Sequence, residues 1–187
     1  MNGPNLCCLI RIGLAFIFLG LLMSFNVWAP FLALVVFLIA CFTDFLDGYW
    51  ARKANIKTKL GAMLDPLADK ILMTVAFVSF VDLGYLEAWP VIFILTREFA
   101  VTGLRGMAIE KNILISASFW GKAKSCLQMF FVVMVTVFHC QLLYKKEWIP
   151  VEKFLLIIDL FLFVVLLATF LSGWRYFSDY FFSLRKN

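Results

Sequence analysis

Residues 31–48 read Phe31-Leu-Ala-Leu-Val-Val-Phe-Leu-Ile-Ala-Cys-Phe-Thr-Asp44-Phe-Leu-Asp47-Gly48. Nothing before Asp44 is charged, and apolar residues do not alternate with polar ones. A strand of a membrane barrel is a segment of about 10 residues with alternating hydrophobicity. A soluble helix would show a polar face. A run of this length and character is a membrane-spanning helix, which needs about 20 mostly apolar residues. Runs of the same kind recur at Leu6–Phe25, Met63–Tyr85, Trp89–Ile109, Phe119–Tyr144 and Val151–Tyr176. The sequence therefore predicts an all-α integral membrane protein of six transmembrane helices, forming a single domain over residues 1–187.

Composition agrees. The 187 residues are 64% hydrophobic and 16% charged, with a mean hydropathy of +0.94. Soluble domains carry about 45–50% apolar and about 25% charged residues. A water-soluble globule and a disordered chain are both excluded. The first run lacks a basic leader and a small-residue cleavage site, so it is expected to remain as a helix. Pro30, Pro90 and Pro150 stand near the starts of spans, where a missing N–H costs little. The aromatic share is 18%, with 22 Phe, mostly core and lipid-facing bulk. Trp28, Trp89 and Trp148 fall at outer span ends, as an interfacial belt requires.

Charge sets the expected orientation. The stretch 24–30 between spans 1 and 2 is uncharged, and the loop after span 3 carries Asp82 and Glu87. Arg52, Lys53, Lys57 and Lys59 follow span 2; Arg105, Lys111, Lys122 and Lys124 flank the fourth connection; Arg175, Arg185 and Lys186 lie near the end. The loop with Lys145, Lys146 and Lys153 dissents, offset by Glu147 and Glu152. The positive-inside rule places both termini in the cytoplasm, beside anionic headgroups. So small a basic surface does not suit nucleic acid. Cys7, Cys8, Cys41, Cys126 and Cys140 show no zinc or redox spacing and read as small core residues rather than a disulfide framework.

The chemistry gathers where span 2 ends and span 3 begins. Asp44 and Asp47 are three apart, and Asp65 and Asp69 are four apart. Either spacing sets both carboxylates on one helix face. The short basic connection is expected to turn the chain back, so that the two faces meet near the cytoplasmic surface. A carboxylate near the centre of a spanning helix costs about 2.5–3.5 kcal/mol, less towards its ends. Divalent cations relieve that cost. Oxygen donors favour Mg²⁺ or Mn²⁺, and a metal pair suits phosphoryl chemistry. The plainer reading is four interfacial aspartates paired with Arg52 and nearby lysines. A divalent-cation transporter also uses intramembrane carboxylates, but nearer mid-membrane.

The string Asp44-x2-Asp47-Gly48-x2-Ala51-Arg52-x8-Gly61-x3-Asp65-x3-Asp69 resembles the signature of the CDP-alcohol phosphatidyltransferases, with all eight fixed positions filled. The resemblance implies six transmembrane helices, a homodimer, and a site open to the cytoplasm from the inner membrane. It also implies two divalent cations, Mg²⁺ or Mn²⁺, on Asp44, Asp47, Asp65 and Asp69, with Asp69 as general base. CDP-diacylglycerol would lie against Asn5, Cys8, Gly48, Ala51, Arg52, Thr58 and Gly61. Cys8 stands where the family commonly has threonine, and a thiol is the weaker hydrogen-bond partner.

Family members share a CDP-linked donor and differ in the acceptor. Thr96-Arg97-Glu98, Leu104-Arg105 and Gly121-Lys122-Ala123-Lys124-Ser125 are similar to the branch that makes phosphatidylglycerophosphate. That likeness implies transfer from CDP-diacylglycerol to sn-glycerol 3-phosphate with release of CMP. Arg97, Arg105, Lys122 and Lys124 would be the phosphate-binding residues. Glu98 would orient an arginine. Sibling enzymes take inositol phosphate, serine or phosphatidylglycerol instead.

Overall fold

The apolar runs fold as helices because a chain in hydrocarbon must satisfy its backbone hydrogen bonds internally. A computed structural model describes residues 3–54, 59–110, 119–145 and 148–184, with the backbone alone at 3–7, 44–54, 59–66, 109–110, 119–120, 181 and 183–184. Six helices follow in order: α1 Gly3–Leu22, α2 Ala29–Ala54, α3 Lys59–Asp82, α4 Ala88–Glu110, α5 Phe119–Tyr144 and α6 Val151–Leu184. α5 and α6 hold stretches, Gly121–Tyr144 and Val151–Tyr180, that are long and apolar enough to cross a membrane. Shorter apolar stretches occupy Cys8–Leu22 and Ala29–Thr43.

Several helices outrun the apolar segments that predict them. α2 continues past Gly48 through Ala51, Arg52 and Lys53, and α6 continues past Tyr176 to Leu184. Hydropathy marks where apolar sequence stops; backbone hydrogen bonding continues through Ala, Arg and Lys, which favour helix. Arg52, Lys53 and Lys59, expected in a loop, are therefore helical. α3 runs unbroken through Pro66. At its end the amide of Tyr85 donates to Phe80 and that of Gly84 to Val81. Gly84 takes a φ of 73°. This is a Schellman cap, in which glycine accepts the left-handed conformation without a Cβ penalty.

The helices pack as two compact units, Met1–Tyr85 with Val132–Trp148, and Leu86–Phe131 with Ile149–Asn187. In the first, α1 packs on both α2 and α3. Ala15, Ala33, Ala40, Ala68 and Ala76 are fully buried there, and such small residues let helices approach closely. Phe18 of α1 meets Phe37 of α2 with ring centroids 5.5 Å apart. In the second unit α4 packs on α6, with Val91, Ile94, Leu104 and Ala108 of α4 and Ile158, Val165 and Tyr180 of α6 buried. α6 leaves Leu156, Leu160, Phe163, Leu167 and Phe170 exposed, an apolar face suited to lipid and unsuited to water. Trp28, Trp89 and Trp148 are all exposed, as an interfacial belt requires. Among the described residues, Cys8, Cys41, Cys126 and Cys140 form no disulfide.

Candidate active site

Helix ends decide where the aspartates lie. Asp47 is seven residues before Ala54, the end of α2, and Asp65 is six after Lys59, the start of α3. At 1.5 Å per residue each lies about 10 Å along its helix from the connection. Asp44 and Asp69 are each ten residues from the same ends, about 15 Å along. Each helix thus carries two of the four aspartates, about 10 and 15 Å along it from Ala54 or Lys59. The donor set is carboxylate oxygen throughout, which fits a hard cation such as Mg²⁺ or Mn²⁺.

Asp69 is partly buried. Gly48, Ala51 and Arg52 follow the aspartates on α2, and Gly61 precedes them on α3. The side chains of Asn5, Asp44, Asp47, Ala51, Arg52 and Asp65 lie outside the described ones, and Thr58 lies outside the described residues altogether. Among the described residues no three His, Cys, Asp or Glu side chains cluster. Asn5 sits in the first turn of α1. Further along α1, Cys8 is buried and Arg11 is wholly so. A buried guanidinium is tolerated only with anions to answer it, and α1 packs on the two helices that carry the four aspartates. The burial of Arg11 was not visible in the sequence.

The basic residues form their own cluster in the second unit. Arg97 Nη2 donates to Ser172 Oγ of α6 at 2.9 Å, and Nη1 donates to Glu98 Oε1 at 3.1 Å. One α4 turn pair further on, Arg105 Nη2 donates to Tyr176 Oη at 2.9 Å. Both guanidiniums sit over the Tyr176 ring, Arg97 at 5.9 Å and Arg105 at 5.6 Å from its centroid. These are cation–π distances. Lys124 is buried and donates from Nζ to Glu98 Oε1. Lys122 is exposed in the first turns of α5. Arg97 also lines an apolar groove of about 590 Å³ between α4 and α6, walled by Phe93, Phe170, Trp174 and Phe177.

The structure therefore brings Arg97 and Arg105 together, and joins Lys124 to Arg97 through Glu98. Glu98 was expected to orient an arginine, and it holds a lysine as well. Lys124, expected among the phosphate-binding residues, is buried as an ion-pair partner of Glu98. Sequence reasoning missed Ser172, Gly173 and Tyr176. Tyr176 reads as an ordinary interfacial aromatic at a span end, and only the packing of α6 on α4 reveals its partners.

A CDP-alcohol phosphatidyltransferase model matches residues 1–165. The chain belongs to this membrane-embedded family. Among its relatives, the CDP-diacylglycerol–glycerol-3-phosphate 3-phosphatidyltransferase of Bacillus subtilis is 36% identical over 189 residues, covering 95% of this chain and 94% of that protein. The Rickettsia bellii protein of the same name is 30% identical over 180 residues, with 95% and 94% covered. That of Mycoplasma pneumoniae is 39% identical over 104 residues, 56% of this chain and 46% of its own.

Proposed function

We propose that this chain is an integral membrane transferase that joins the phosphatidyl group of CDP-diacylglycerol to sn-glycerol 3-phosphate, giving phosphatidylglycerophosphate and CMP. The names of its full-length relatives support the reaction. The observation that carries the acceptor is the convergence of Arg97 and Arg105 on one tyrosine ring. Two guanidiniums held side by side suit a dianionic phosphate. In this reading all six helices span the inner membrane, both termini and the site face the cytoplasm, and the enzyme works as a homodimer. The basic connections support that orientation.

Asp44, Asp47, Asp65 and Asp69 would hold two divalent cations, Mg²⁺ or Mn²⁺. Bound there, the metals would supply charge stabilisation for the diphosphate. The chain's own residues do the rest. Arg52 holds a donor phosphate, while Asn5, Cys8 and Thr58 face the nucleotide. Gly48, Ala51 and Gly61 leave room for it, since larger side chains would keep it from the backbone. Arg97, Arg105 and Lys122 bind the acceptor phosphate, and Lys124 acts on the same site through Glu98.

Asp69 takes the proton from the glycerol 1-hydroxyl. The freed oxygen attacks the lipid-side phosphorus, the bond from that phosphorus to the oxygen of CMP breaks, and CMP leaves with the electron pair. Positioning and fixed charge account for the rate, as in other phosphoryl transfers. Purified protein given CDP-diacylglycerol and each acceptor in turn tests the reading. CMP release is expected with glycerol 3-phosphate; release only with serine, inositol phosphate or phosphatidylglycerol would replace it with a sibling activity.

A further inference from the structure

Arginine is long and flexible, with about 2 kcal/mol of rotamer entropy to lose on binding. Two arginines also repel. A site built from a pair of them needs something to hold both in place before the anion arrives. In the second unit that support comes from one short piece of α6. Ser172 accepts from Arg97 at 2.9 Å, and Tyr176 accepts from Arg105 at 2.9 Å. The Tyr176 ring, buried, faces both cations, and its quadrupole offsets part of their repulsion.

Gly173 completes the arrangement. A Cβ on it would stand 3.2 Å from both Cγ and Nε of Arg97, so the absence of a side chain lets that arginine lie flat against α6. Ser172, Gly173 and Tyr176 fall on one helix face, being one, three and four residues apart. They also lie beyond residues 1–165, the stretch that the family model matches. The family shares its donor, and its members part at the acceptor.

We propose that Ser172, Gly173 and Tyr176 are positioning residues that pre-organise Arg97 and Arg105, so that this face of α6 sets acceptor affinity and selects a phosphate-bearing acceptor. The proposal rests on the assignment of those arginines to glycerol 3-phosphate. None of the three α6 residues needs to touch the acceptor. Arg97 keeps the guanidinium donors that Glu98 and Ser172 do not use, and Arg105 keeps those that Tyr176 does not use.

The test is steady-state kinetics in detergent micelles, varying glycerol 3-phosphate and CDP-diacylglycerol separately. Tyr176→Leu removes ring and hydroxyl together and is expected to raise the glycerol 3-phosphate KM about tenfold or more. The CDP-diacylglycerol KM should stay within about twofold, since a lost cation–π contact acts only near the ring. Tyr176→Phe keeps the ring and should raise the acceptor KM by roughly threefold, since Arg105 loses its hydroxyl acceptor while both cations keep the ring face. Gly173→Ala should raise it by a similar factor, because the new methyl displaces Arg97.

The graded order Leu above Phe above wild type, confined to the acceptor, supports positioning. Equal rises in both KM values, or a fall in kcat alone, would make Tyr176 merely structural and overturn the proposal. If Arg97→Gln and Arg105→Gln raise the acceptor KM while Tyr176→Leu and Gly173→Ala do not, positioning fails and the acceptor assignment stands. If the two arginine variants themselves leave it unchanged, both fall.

Discussion

Replacing Glu98 by glutamine keeps the shape of the side chain and removes the charge on which Arg97 and Lys124 converge. Lys124 is 3% exposed, and the Glu98 side chain is 19% exposed, so little water is at hand to replace the lost anion. Removing one member of a buried pair costs about 3–5 kcal/mol. Glu98 and Lys124 each make further contacts, which puts the expected loss at the lower end, about 3 kcal/mol. For a chain of this size that corresponds to a fall in unfolding midpoint of roughly 6–12 °C. Glu98→Gln with Lys124→Met should recover much of it, because the double variant no longer buries an ammonium without its anion. The measurement is thermal unfolding in one detergent for wild type, both single variants and the double. Acceptor KM should rise in Glu98→Gln, since the amide oxygen can still accept from Arg97 Nη1 but no longer answers its charge. A midpoint within a degree of wild type, or a double variant no more stable than Glu98→Gln, would refute the reasoning.

Arg97→Gln and Arg105→Gln are each expected to raise the glycerol 3-phosphate KM by roughly tenfold or more, the worth of a charge-assisted bond, with lysine at either position rescuing only in part because it lacks the planar fork. Kinetics with one substrate varied at a time checks this. Asp44→Asn, Asp47→Asn and Asp65→Asn should each abolish most turnover while the protein still inserts, and Asp69→Asn should lower turnover with less loss of CDP-diacylglycerol binding than Asp44→Asn; near-normal rates in any two of the first three at saturating Mg²⁺ would exclude the metal assignment. Gly84→Ala meets no atom within 4 Å, so it should cost only the left-handed conformation, about 1 kcal/mol or somewhat more, with both KM values unchanged. Acceptor KM should rise as pH falls through about 6, where a phosphate monoester gains its second proton and loses a charge; a flat KM between pH 7.5 and 5.5, read as initial rates, would mean that the site does not distinguish the dianion.

The six helices were legible because bilayer thickness writes itself into sequence as long apolar runs. Their ends were not. The run that stops near Gly48 belongs to a helix that ends at Ala54, because the polar residues beyond it still favour helix. That difference matters to the site: Asp44 and Asp47 lie well inside the described part of α2, as Asp65 and Asp69 do in α3. The aspartates themselves were legible as a motif, since three- and four-residue spacings are local. The contact between Arg105 and Tyr176 bridges 71 residues. It depends on how α4 and α6 pack, which hydropathy does not encode. The burial of Lys124 against Glu98 was not legible for the same reason, since it depends on how α4 and α5 pack.

Charge balance argues for the kind of acceptor the second unit takes. In the paired cluster Arg97, Arg105 and Lys124 supply three positive charges and Glu98 returns one negative charge, leaving two, while Lys122 stays exposed to water that screens its charge. Buried or half-buried excess charge is costly until it is answered. A phosphate monoester near neutral pH carries close to two negative charges and answers it almost fully; a zwitterionic amino acid carries none net, and a phosphodiester lipid only one. Under the proposed acceptor assignment, Glu98 therefore does two things. It holds Lys124 and Arg97 in place, and it trims the cluster from three charges to the two that a monoester matches. Without it the cluster would carry a third, unanswered charge and Arg97 would lose the anion that anchors it, so glycerol 3-phosphate would meet a looser pair of arginines and bind less well. With it, the two remaining charges face a dianion from fixed positions.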